Sequence, residues 1–199
     1  MPYGANAARA LPEEATVRYV IDARASTFFV QGSSTGLLSV FGHDPKFAIH
    51  DFQGDAELTP GSANLDDARL RVRVRADSLA VANEMSDKDR EEIERRMNAE
   101  VLESERFPDI YYEVLRVTGS GNGERYWLAL DGELTMRGIT RSLAVSTRVL
   151  LNGSSLRASG EFSVKLSEFG IAQVTAVGGA IRLKDELKCS FDVVARKQG

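Results

Sequence analysis

The chain has one cysteine, Cys189, and two histidines, His43 and His50, in 199 residues. A lone thiol can form neither an internal disulfide nor a cysteine-based zinc site, which fits a reducing compartment. Basic excess is lacking too: 25 Lys+Arg against 29 Asp+Glu leave a formal net charge of -4. A nucleic-acid surface normally shows as a basic excess or stripe, so no nucleic-acid partner is expected. No apolar run approaches the ~18 residues of a transmembrane segment. The opening MPYGANAARALPEEA has no secretory h-region. The chain is therefore expected to be cytoplasmic as written, or periplasmic if a leader has been removed. There is no G-x-S-x-G nucleophile motif. The glycine-rich GSGNG, Gly119 to Gly123, lacks the Lys-Ser/Thr of a phosphate loop and reads as a turn.

What is abundant is period-two alternation. In RLRVRVRA, Leu70, Val72, Val74 and Ala76 share one face, and Arg69, Arg71, Arg73 and Arg75 the other. The arginines read as a solvated outer face. Similar alternation runs through 126–134, 140–151, 156–166 and 187–195, with shorter candidates at 16–22, 25–31, 46–58 and 110–118. Gly61-Ser62, Asn152-Gly153 and Gly178-Gly179 punctuate them. Eight or nine strands with one wet and one dry face predict an antiparallel sheet closed into a barrel or folded into a sandwich. Asp185 shares parity with Ile181, Leu183 and Leu187, and is read either as part of a turn or as an inward polar group.

One segment departs from this period. Residues 86–104 set Ile93, Met97 and Val101 four apart among charged residues, which predicts one inserted amphipathic helix ending before Pro108. Ser86 with Asp89 forms a capping-box pattern, aspartate standing for the usual Glu/Gln.

Both histidines precede an aspartate in GHDPKFAIHDF. Seven apart, they would point to opposite faces of a regular strand. Gly42 and Pro45 put His43-Asp44 in a turn. Phe47 and Ile49 have one parity, Phe52, Gly54, Ala56 and Leu58 the other, which predicts a bulge at His50-Asp51. No metal site is expected, and His50 is expected to pack beside Phe52. An eight-strand interior can be filled by side chains or can hold a ligand; composition leaves both open.

Several stretches resemble the YceI-like family: GELTMRGITRSLAV (132–145), the charged helix followed by Phe107, Pro108, Ile110 and Tyr112, SEFGI (167–171) and VGGAIRLKDELKCSFDVVA. The resemblance spans about 16–196, read as a single domain preceded by a loosely attached tail at 1–15. It implies a mainly β fold, an extended antiparallel lipocalin-like barrel of about eight strands with the helix inserted. It also implies binding, carriage or storage of a long apolar ligand, such as a polyisoprenoid, an isoprenoid-quinone tail or another amphiphilic lipid. No catalysis, metal or required cofactor is implied. The tail would contact the inner-face residues Phe28, Val72, Val74, Leu128, Leu130, Leu143, Val145, Phe162, Val164, Phe191 and Val193, while His43, Asp44 or His50 would meet the head group. Transient membrane contact and a homodimer are open options. The alternatives are a filled barrel serving protein–protein interaction, or a histidine–carboxylate enzyme using His43 and His50. The segment GLLSVFGHDPKFAIHDF departs from the family's usual H-x-G form.

Overall fold

In chain order the strands are β1 (Val17–Ile21), β2 (Thr27–Gln31), β3 (Ser34–Thr35), β4 (Lys46–Ile49), β5 (Phe52–Leu58), β6 (Arg69–Arg75) and β7 (Leu79–Val81). The helix α1 (Asp87–Arg96) follows and continues as a π-helical turn, Met97–Leu102. After it come β8 (Asp109–Gly121), β9 (Arg125–Met136), β10 (Ile139–Asn152), β11 (Ser155–Lys165), β12 (Thr175–Ala176), β13 (Ile181–Leu183) and β14 (Glu186–Lys197). This computed structural model describes residues 15–35, 44–62, 64–176 and 181–199. His43 and, apart from Ala15, the expected tail at 1–15 lie outside the described residues.

The hydrogen-bonded order β1-β5-β6-β8-β9-β10-β11-β14 returns to β1, where Tyr19 to Ile21 pair with Lys197 to Ala195. All of these pairings are antiparallel. Three barrel strands are broken in the middle. β1 and β2 are separated by the 3-10 turn Ala23–Ala25, β4 and β5 by His50-Asp51, and β6 and β7 by the turn Ala76–Ser78. The upper pieces pair in the same order as the lower ones: β2 with β4 and β4 with β7 above, β1 with β5 and β5 with β6 below. Counting each broken pair once gives a closed eight-strand barrel.

The breaks reconcile the phase of the sequence with the barrel. Phe47 and Ile49 face inward before His50-Asp51, and Phe52, Ala56 and Leu58 face inward after it. The slipped segment is stitched to its neighbour: His50 N donates to Ser78 O at 3.2 Å and Arg75 N to Asp51 O at 2.9 Å. The outward arginines of β6 meet acidic partners, Arg71 with Glu113 at 3.0 Å and Arg73 with Asp109 at 3.7 Å. The exposed Arg71–Glu113 pair contributes ~0–1 kcal/mol, whereas the Asp109 carboxylate is largely buried.

Some elements differ from the expectation. β8 runs to Gly121, through a stretch expected to be a turn, because Gly119, Ser120 and Gly121 keep pairing with Leu128, Trp127 and Tyr126. The strands β3, β7, β12 and β13 have two or three residues each, too few for a periodicity to show. The helix is α-helical only to Arg96. A spacing of four overshoots the 3.6-residue α turn, and the wider π turn takes up the excess. Asp185 is exposed in the turn before β14, where its carboxylate accepts from Ser167 N at 2.7 Å and Ser167 Oγ at 2.6 Å. Those hydrogen bonds hold it below the usual aspartate range.

Candidate functional site

The barrel is not filled. Its inner face surrounds a cavity of about 480 Å³, within the ~300–1,000 Å³ usual for ligand pockets. All eleven inner-face residues named from the sequence border it, from Phe28 and Val72 to Phe191 and Val193. Several that point inward, including Phe28, Val72, Leu143, Phe162 and Phe191, are only half-buried because the space beside them is open.

Three levels can be distinguished along the barrel. At the lower end Leu58, Leu65, Val149, Leu156 and Ala195 border the cavity. Beneath them Tyr19, Tyr126 and Leu151 are buried without reaching it. Tyr126 Oη donates to Ser62 O at 3.1 Å and Tyr19 Oη to Gly153 O at 3.4 Å, which ties two loops across the base. Leu65 is 1% exposed and holds a left-handed backbone, φ 49°. The loop strains there to turn the side chain inward, so the floor is packed with apolar side chains, and the exposed Arg69 borders the cavity beside it.

At the waist Phe28 is the hub of four aromatic rings. Its centroid lies 5.9 Å from Phe191 in near-parallel stacking, and 6.2 Å from both Phe52 and Phe162 in edge contact. Across the tunnel Tyr112 crosses over Gly132. A Cβ at Gly132 would lie 2.8 Å from the Tyr112 ring and 2.5 Å from Glu113 O. The single phenol proton is shared between Leu130 O at 3.0 Å and Leu143 O at 3.2 Å, which satisfies a polar group in an apolar wall. Burial, aided by the Asp131 charge, pushes its pKa up to about 12. Cys189 also borders the cavity, and burial pushes its thiol up to about 12. A thiol so held is a small apolar wall group rather than a nucleophile.

The upper end is walled by the helix, whose Ile93, Met97 and Val101 all border the cavity. Ser86 Oγ caps α1 by accepting from Asp89 N at 3.2 Å and donates in turn to Asp89 Oδ2 at 2.7 Å. The helix also covers the free edge of β7. Val81 N donates to Glu94 Oε1 at 2.8 Å, and Arg90 Nη1 donates to Val81 O at 2.6 Å. Its end is clasped by Arg137, which pairs with Glu103 and donates to Gly170 O at 3.3 Å. Arg137 and Gly138 both have positive φ, 52° and 71°, as a two-residue type I′ hairpin turn requires. The L-T-x-R-G and F-G-I elements thus meet at one joint that fixes the helix over the barrel.

The cavity reaches the surface beside this helix, where Ser34, Arg96, Glu100 and Thr175 border it. Arg96 donates to Glu100 Oε2 and Thr175 O, each at 3.2 Å. Asp44 lies next to this mouth, where its carboxylate accepts from Ser34 N at 2.8 Å. His50, assigned from the sequence to the ligand-contacting set and to packing beside Phe52, is instead exposed in the break between β4 and β5 and does not border the cavity. The bulge turns its side chain outward while Phe52 turns in. Among the described residues no three His, Cys, Asp or Glu are grouped to hold a metal ion.

A closed eight-strand antiparallel barrel around an apolar, ligand-sized cavity defines a lipocalin-like barrel protein. Within that class the chain belongs to the YceI-like family, the YceI-like domain matching residues 19–195. Solved structures share the fold at low identity. The BcnA protein of Burkholderia cenocepacia matches at TM-score 0.66 and 15% identity, over 87% of this chain and 98% of that one. A polyisoprenoid binding domain from Saccharophagus degradans, implicated in plant cell wall breakdown, matches at TM-score 0.64 and 10% identity, over 90% and 98%. The Campylobacter jejuni YCEI protein matches at 0.58 and 15%, over 77% and 85%. No curated protein matches the chain by sequence.

Proposed function

We propose that this protein binds a long apolar chain, of the polyisoprenoid kind or an amphiphile with an isoprenoid tail, and carries or stores it with the tail in the barrel. The observation that carries this reading is the cavity, whose wall from floor to waist is almost wholly aliphatic and aromatic. The polyisoprenoid-binding neighbour and membership of the family support the ligand class.

The driving force is transfer of the tail out of water. Each buried methylene contributes ~0.8 kcal/mol, so ten give roughly 8 kcal/mol. Ordering a flexible chain opposes part of that. The head group remains at the mouth, beside Arg96, Glu100, Ser34 and Thr175. No covalent step is required. Loading and release would need only brief contact with a membrane or a partner.

Native mass spectrometry of protein purified without detergent tests this, followed by identification of what denaturation releases. The expected result is one long-chain lipid per barrel. The variant Leu143→Arg, at a position half-open to the cavity, would weaken uptake by about 100-fold or more, because a charge would face the tail. Circular dichroism would confirm its fold. Protein that is empty, and that takes up neither prenyl chains nor long acyl chains, would refute the reading.

A further inference from the structure

The closed floor sets a limit that the family assignment does not. Resting on the ligand reading above, we propose that the cavity is a length gauge: it encloses the terminal four or five isoprene units of a chain, and Leu65 with the tyrosines beneath it is the stop.

The gauge follows from the residues that border the cavity. On β9 they run from Leu128 to Met136, and on β11 they run from Leu156 to Leu166 just beyond its end. Eight to ten residues at ~3.3 Å each span about 26–33 Å along a strand. A strand tilt of about 40° reduces this to roughly 20–25 Å along the barrel axis. An extended chain advances about 1.2 Å per main-chain bond, so an isoprene unit of four such bonds covers about 4.8 Å. Four or five units fill the depth.

The floor resists further advance. Leu65, Tyr19 and Tyr126 are each 1% exposed, and both phenols are anchored to loop carbonyls on opposite sides of the base. Opening it would unpack a buried leucine and break both hydrogen bonds. Units beyond the fifth therefore stay outside the mouth and add little to affinity.

The test is a series of prenyl chains of two to eight units, each with the same uncharged oligo-ethylene-glycol head, competed against a fluorescent prenyl probe. Affinity should rise at least tenfold per added unit up to four, then change less than about threefold beyond five. Ala158→Phe, which projects into the lower cavity, should move the plateau one or two units shorter and leave the shortest chains unaffected. Leu65→Ala should move it longer. Affinity that keeps climbing tenfold per unit past six would overturn the gauge, as would an Ala158→Phe effect equal at every length. Failure of every length to bind would instead overturn the ligand reading itself.

Discussion

At the scale of single residues, the two most perturbed groups of the cavity wall are both acids held neutral. Burial raises Cys189 from 9.0, and burial with the Asp131 charge raises Tyr112 from 10.0, each to about 12. The unfolded chain therefore releases these protons first as the pH rises. Their contribution to stability is complete below about pH 9 and is lost progressively between about 9 and 12. The urea midpoint should accordingly hold from pH 7 to about 9 and fall above it. In Cys189→Ala the part of that fall beginning near pH 9 should shrink, leaving the part beginning near 10. The inward position of Cys189 was legible from parity with Leu187, Phe191 and Val193. Leu65 was not, because an inward side chain in a loop leaves no period to read. Nor did anything in the sequence announce that Gly132 clears the path of Tyr112, since a close approach depends on which strand lies opposite.

At the scale of elements, the helix is held along the edge of β7 by Arg90 and Glu94 and at its far end by Arg137. Arg137 links the β9–β10 turn to the end of the π turn at Glu103 and to Gly170 O. Both partners of the ion pair are largely buried, with side-chain exposures of 17% and 30%. The double-mutant cycle of Arg137→Ala and Glu103→Ala should give a coupling of ~0.5–3 kcal/mol. Arg137→Ala alone should lower Tm by about 2–4 °C for each kcal/mol lost. Arg137→Lys should not restore it, because one ammonium does not reproduce a planar fork serving two acceptors. The long strands were legible from alternation, and the break at His50-Asp51 from a change of parity. The break at Ala23–Ala25 lies where the two short candidates 16–22 and 25–31 meet, whereas the matching one at Ala76–Ser78 was not legible, since its neighbours in space impose it. The outward turn of His50 was not legible either: a bulge tells where the phase slips, not which residue absorbs it.

At the scale of the molecule, the barrel has two unlike halves. β8, β9, β10, β11 and β14 are continuous over 11 to 14 residues, whereas the three remaining barrel strands are each interrupted at mid-height. Amide hydrogen exchange should follow that division, because short segments flanked by turns open with fewer bonds broken. Protection should be highest in β9 and β10 and lower in β2, β4 and β7, and a bound chain should slow exchange most in the latter group.

The three aligned breaks also have a mechanical consequence. They form a crease across one wall, where the upper panel of β2, β4 and β7 joins the lower strands through turns and not through continuous pairing. The opposite wall, uncreased, keeps its shape. A vessel built in this way would take up a change at its neck along the crease, while its base kept its shape.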